Sequence, residues 1–268
     1  MFRILLCCLS FFQLISNVYA SDSLLLLKHI PVQARFFTTD PLGNSYLVLN
    51  DQSILRLNSR GDSIGFFNQV QKGVLTQIDA TNPLRVILYY GQFGQVVILD
   101  NQTTIKSAFN LNQLGIFNAP AVANSADAQI WTYDPGTGEI IKVDDSPQIR
   151  FKIGLRNVLD VPLNPCFMIE QDRRFFLVDS TNGIFVFDQY GLFKVRYPIT
   201  TNAIQFFNNY LVYYNAPNLV SYNIRSYNEQ IQSLPNPESI RQVRIERNTL
   251  YVLRSNGLSI YRWPAETK

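Results

Sequence analysis

Short apolar runs alternate with polar turns along almost the whole chain. They centre on Tyr46-Leu47-Val48, Val86-Ile87-Leu88, Ile130-Trp131-Thr132, Phe175-Phe176-Leu177, Tyr210-Leu211-Val212 and Leu250-Tyr251-Val252. β-Branched and aromatic residues dominate them, and turn residues bound them, so they are expected to be strands. The centres recur at steps of 35 to 45 residues. A spacing of about 40 to 50 residues is that of a four-stranded propeller blade.

A second run follows each first. These are Ile54–Leu57, Val96–Leu99, Ile140–Val143, Ile184–Phe187, Leu219–Tyr222 and Leu258–Tyr261. The reversals have a chemical reason. Asp134-Pro-Gly-Thr-Gly138, Ser180-Thr-Asn-Gly183 and Ser255-Asn-Gly257 offer glycine for a positive φ. Asn58-Ser-Arg-Gly61 and Asp188-Gln-Tyr-Gly191 turn the chain out again. Outer strands are expected at Ser63–Phe67, Thr104–Phe109, Gln148–Ile153, Phe193–Tyr197 and Gln230–Leu234, most of them alternating apolar with polar residues. Inner strands are expected at Arg35–Thr38, Leu75–Asp79, Pro120–Asn124, Cys166–Glu170, Ala203–Phe207 and Arg241–Ile245.

The ends of the chain complement each other. The last unit stops at Tyr261-Arg262-Trp263 with three strands, and Leu24–Val32 is a strand left over. Ile30-Pro31-Val32 resembles the outer-strand ending Tyr197-Pro198-Ile199. The expected fold is therefore all-β, a six-bladed β-propeller closed by the N-terminal strand. A β-sandwich, an unclosed repeat, and rings of five or seven blades are the competing arrangements.

Met1-Phe2-Arg3, the apolar stretch Ile4–Val18 and the small residue Ala20 have the form of a secretory signal. Residues 1–20 are expected to be a signal peptide and 21–268 a single propeller domain. Cys7 and Cys8 lie inside the apolar stretch, too early for a lipidated cleavage site. Cys166 would be the one thiol of the mature chain, so no internal disulfide forms. Its setting in Pro165-Cys-Phe-Met-Ile169 suggests a buried small hydrophobe. No later segment approaches transmembrane length.

At these repeats the chain resembles the NHL-like and TolB-like six-bladed propellers. Asp40–Asn50 with Ile54–Gly61, and Phe176–Asp179 with Gly183–Gly191, carry the resemblance. It implies a propeller whose ligands sit at the central channel or on the loops of one face. Some members of these families are lactonases or amidating lyases; others bind peptides, carbohydrate or proteins. The Asn, Gln, Tyr and Phe richness, with a signal peptide, resembles envelope proteins of the Bacteroidota type.

The chain has 268 residues, 47% hydrophobic, 13% aromatic and 16% charged, with a net charge of +3. That balance excludes a disordered chain and does not suggest nucleic acid as a partner. The single His29 falls on the proposed closing strand, which argues against a histidine-based zinc site or a Ser-His-Asp triad. Asp79, Asn124, Glu170 and Asn202 lie near inner strands and would be the oxygens of a channel calcium site, if there is one. Asp144-Asp145 and Asp160 read as turn or loop acids. Asn101-Gln-Thr103 fits a glycosylation sequon and equally a hairpin turn. Arg173-Arg174, Arg241, Arg244 and Arg247 make the later part somewhat basic; Arg241 and Arg247 could reach a partner, and strand-edge solubility explains them as well. Tyr89-Tyr90, Phe206-Phe207 and Tyr213-Tyr214 are core aromatics before they are a sugar-binding groove.

These features nominate no catalytic, cofactor-binding or metal-ligating residue, and their balance is against an enzyme. The leading expectation is an exported, non-enzymatic propeller acting as a protein-interaction scaffold in the bacterial envelope. It would be periplasmic, extracellular or peripheral to the outer membrane, with no cofactor and no nucleic-acid partner. A metal-dependent hydrolase or lactonase with a channel site is the alternative, and carbohydrate binding through aromatic loops a third. The pattern does not fix an oligomeric state.

Overall fold

A computed structural model describes residues 24–68 and 73–263. Six four-stranded antiparallel sheets form the ring. The first blade runs from the inner strand Ala34–Thr39 to the outer strand Ser63–Phe67. Blades 2 to 5 begin with Gln77–Asp79, Val122–Asn124, Pro165–Gln171 and Gln205–Phe207. Blade 6 begins with Ile240–Glu246 and runs to Gly257–Arg262. The expected signal peptide lies outside the described residues. Among those described, no helix is long and apolar enough to cross a membrane.

The leftover strand closes the ring. Leu26–Ile30 pairs antiparallel with Gly257–Arg262, placing His29 opposite Ser259 and Ile30 opposite Leu258. Two glycines show that this strand stands where an ordinary outer strand would. In blade 4, a Cβ on Gly183 would lie 2.3 Å from the Tyr197 carbonyl oxygen. In blade 6, a Cβ on Gly257 would lie 2.3 Å from the Ile30 carbonyl oxygen. Both glycines have positive φ, 102° and 151°. The same backbone approach therefore needs glycine whether the outer strand comes from the same blade or from the far end of the chain.

The middle strands are buried on both faces because each blade packs against two neighbours. Val86–Tyr90 and Ile130–Asp134 are buried at every position. Burying a Val, Leu, Ile or Phe fully contributes about 1.5–3 kcal/mol. Aromatic contacts stitch the seams. Trp131 of blade 3 stacks on Phe175 of blade 4 at 4.4 Å, and Phe176 meets Phe206 of blade 5 at 4.7 Å.

A side chain recurs at the turn between third and outer strands. Asn58, Asp100, Asp144 and Asp188 each accept hydrogen bonds from the backbone N–H groups two and four residues on. Asn223 does so at two and three residues on. Asp144 is thus a turn residue, and Asp160 is exposed in the loop before blade 4. Asn101 and Thr103 sit in the corresponding turn of blade 2.

One expectation is corrected. Cys166 is exposed, not buried. The register shifts between Pro165 and Phe167, so Cys166 is the extra residue of a β-bulge. A bulge re-aims its side chain, and here it turns the thiol out of an otherwise apolar run. Arg35 in blade 1 and Arg241 in blade 6 occupy the same kind of bulge at the start of their inner strands.

Candidate functional site

The alternation of strand directions gives the ring two different faces. One carries the hairpins between first and second and between third and outer strands; it is called here the turn face. The other carries the remaining hairpins and the links between blades, and is called the link face. The inner strands line a channel between them.

Two cavities line this channel and extend outward along blade 5. One of about 920 Å³ opens on the turn face, with Thr39, Thr81, Glu170, Glu246 and Arg247 in its wall. One of about 550 Å³ opens on the link face, with Arg35, Thr201, Asn202, Tyr214 and Arg241 in its wall. Gln205 and Arg244 line both, so they form the waist where the cavities meet. The Arg244 Nε donates to Thr39 Oγ1 at 3.1 Å. Burial pulls its guanidinium below the ordinary value, while Glu246 and Asp79 raise it. Burial likewise pushes the Glu246 carboxyl up, against the pull of Arg244.

The acids and amides expected to face the channel have other work. Asp79 accepts from the Thr81 N–H and hydroxyl and from the Asn124 N–H at 2.7 Å. Asn124 Oδ1 accepts from Arg85, whose other Nη meets Asp145 at 2.5 Å. Glu170 accepts from Ser125 Oγ at 2.6 Å, from the Ala126 N–H and from the Trp131 indole. Asn202 offers its carbonyl to the Cys166 thiol. The structure does not bring Asp79, Asn124, Glu170 and Asn202 into one coordination shell. Among the described residues no three His, Cys, Asp or Glu groups converge as metal ligands. These side chains join neighbouring blades.

The other nominated residues are also placed. His29 is exposed on the closing strand, with Nδ1 3.1 Å from Ser259 Oγ. Arg241 donates to the Ala34 carbonyl and Arg247 to the Pro41 carbonyl, both across the seam from blade 6 to blade 1. Arg174 lies over the Phe206 ring, and Arg173 takes a positive φ in a tight turn. Tyr89, Tyr90, Phe206 and Tyr213 are buried in the core; Phe207 and Tyr214 are half-buried.

Glutamines matter more than sequence reasoning indicated. Gln77 accepts from the Val122 N–H and donates to the Val122 carbonyl. Gln205 does the same to Ile245, and Gln242 to Phe37. A side-chain amide mirrors a peptide group, so each fills both hydrogen-bonding positions of one residue on the next inner strand. The available signal was a Gln near the start of three inner strands, as in Gln77-Ile-Asp, Gln205-Phe-Phe and Gln242-Val-Arg.

No family model matches the chain, and no curated protein matches it. Solved structures share its fold. Virginiamycin B lyase from Staphylococcus aureus is 12% identical, covering 85% of this chain and 80% of its own, with a TM-score of 0.58. The BBS1N chain from its complex with ARL6DN is 13% identical over 91% of this chain and 98% of its own, TM-score 0.55. PorZ of Porphyromonas gingivalis is 11% identical over 91% of this chain and 39% of its own, TM-score 0.51. Likeness at this identity is likeness of fold.

Proposed function

We propose that the protein is an exported, non-enzymatic propeller that serves as a protein-interaction scaffold in the bacterial envelope. The observation that carries this reading is on the turn face. Leu42, Leu84, Tyr190 and Tyr227 project there from four different blades, each between 53% and 70% exposed. Apolar and tyrosine side chains at the tips of rigid hairpins are suited to a partner's surface, because little conformational freedom is lost on binding. The acids nearest the channel, by contrast, are engaged between blades.

Comparison supports the same side. PorZ is a bacterial surface component of the type-IX secretion system, and BBS1N binds ARL6DN. The fold also serves an enzyme, the lyase, whose histidine-to-alanine variant is catalytically inactive. The one histidine here stands on the outer strand of the closing blade rather than in the channel. Export rests on the form of residues 1–20, and a Bacteroidota-type envelope on the Asn, Gln, Tyr and Phe richness.

Site-specific photocrosslinking in cells tests the reading. A benzophenone side chain at Tyr190 or Tyr227 should trap one defined protein partner. The same group at Lys152, exposed on an outer strand away from the turn face, should not. Monomer alone from all three positions would overturn the proposal.

A further inference from the structure

The channel mouth on the link face gathers three arginines. Arg35, Arg241 and Arg244 line its cavity, and among the described residues no Asp or Glu does. The ion pairs among the described residues use other cations. The three guanidinium groups are instead held by neutral acceptors. Arg35 Nη1 donates to Gln52 Oε1 at 2.6 Å and to the Leu75 carbonyl at 3.4 Å. Arg241 Nη1 donates to the Ala34 carbonyl at 3.3 Å, and Arg244 Nε to Thr39 Oγ1 at 3.1 Å. A guanidinium has five N–H donors. Among the described residues, each of these three uses one of its nitrogens in these hydrogen bonds.

Backbone geometry contributes to the arrangement. Arg35 and Arg241 are the bulged residues of adjacent inner strands, in blades 1 and 6. The bulges turn both side chains toward the same mouth. Arg244 stands deeper, at the waist. Its acidic neighbours Glu246 and Asp79 are not cavity-lining residues on this side, and neither comes within ion-pair distance. Thr200, Thr201 and Asn202 also line this cavity. Guanidinium groups gathered at one mouth with no ion-pair partner repel one another. An anion relieves that repulsion and gains charge-assisted hydrogen bonds, which are bidentate where the anion presents two oxygens.

We propose that the link-face mouth of the channel is a binding site for a small oxyanion-bearing solute, a carboxylate or a phosphate. Arg35 and Arg241 form its rim and Arg244 its floor. The cavity of about 550 Å³ admits a molecule of metabolite size. This site is separate from the turn-face tips and does not depend on their having a partner.

Calorimetric titration of the whole protein at low ionic strength tests it, with inorganic phosphate in one arm and citrate in the other. Saturable binding near one equivalent in either arm is expected, and the arm that binds identifies the oxyanion. Affinity should fall about tenfold or more for each of Arg35→Gln and Arg241→Gln, the loss expected of one charge-assisted contact. Both residues are exposed, and far-ultraviolet circular dichroism of each variant checks that the fold is kept. Arg150→Gln, on an outer strand, should bind as the parent does. Absence of saturable binding in both arms overturns the proposal. So does binding that the Arg35→Gln, Arg241→Gln double variant leaves unchanged.

Discussion

Gln242 and Phe37 lie 205 residues apart in the chain and exchange two hydrogen bonds. The Phe37 N–H donates to Gln242 Oε1 at 2.9 Å, and Gln242 Nε2 donates to the Phe37 carbonyl at 2.9 Å. The pair fastens blade 6 to blade 1, beside the seam that the N-terminal strand closes. An inner strand has a free edge toward the channel, and its backbone groups must be satisfied there or cost stability. The amide solves this locally, one residue at a time.

Gln242→Leu should therefore weaken the ring. It removes both partners of a largely buried backbone unit, at about 1–3 kcal/mol for each group left unsatisfied. Urea unfolding should show a lower midpoint than that of Gln113→Leu, an exposed substitution expected to change stability by about 0.5 kcal/mol or less. Coincident midpoints would show that the latch contributes nothing.

Glu170→Ala separates the structural reading of the channel acids from a metal-binding one. The change strands the Trp131 indole N–H and the Ser125 hydroxyl in the interior between blades 3 and 4. Hydrogen bonds to a charged group contribute about 1.5–3 kcal/mol each, so the variant should melt well below the parent. Calcium should not change the melting temperature of either protein. A calcium-dependent rise in the parent that Glu170→Ala abolishes would restore the metal site.

The blades were readable because their signal is local. Period-two alternation, glycine at the hairpins and the Ile30-Pro31 echo of Tyr197-Pro198 need no knowledge of neighbours. Some inner strands are nevertheless shorter than the pattern suggests. Gln77–Asp79 starts after Leu75, whose N–H donates to the Gln52 side chain. The clamps were hidden. Nothing in Gln242 itself says that Phe37 will face it, since that depends on how the ring closes. Cys166 was misread because an apolar run does not reveal a bulge. Arg35 and Arg241 share that bulge, so their common mouth became visible only once the register was known.

Asp179 should shape the acid limb of stability. It is buried, and burial alone would raise its carboxyl. The N–H groups of Asn164, Asn182 and Thr181, with the Asn182 amide, outweigh this and hold it below the ordinary carboxylate range. A depressed folded value stabilises the protein fully above the unfolded value, about 3.9 for Asp. That contribution is lost as pH falls through the folded value. Asp179→Asn should lower stability at pH 7 and make the decline between about pH 5 and pH 2 shallower. Parallel acid limbs for the two proteins would exclude this role.

Cys166 should be exposed yet slow to react. Partial burial pushes its thiol up, and the Asp179 charge adds to that, while hydrogen bonds from Ser180 oppose both. The thiolate is the nucleophile, and below the pKa its population falls about tenfold for each pH unit. Alkylation mapped to Cys166 by mass should therefore be slower at pH 7.5 than for free cysteine, despite the exposed position on the bulge. Its rate should keep rising beyond the ordinary thiol range instead of levelling there. Asp179→Asn removes the neighbouring negative charge, so the same profile should move to lower pH. A wild-type profile with its midpoint below that of free cysteine would reverse the assignment and mark Cys166 as an activated thiol.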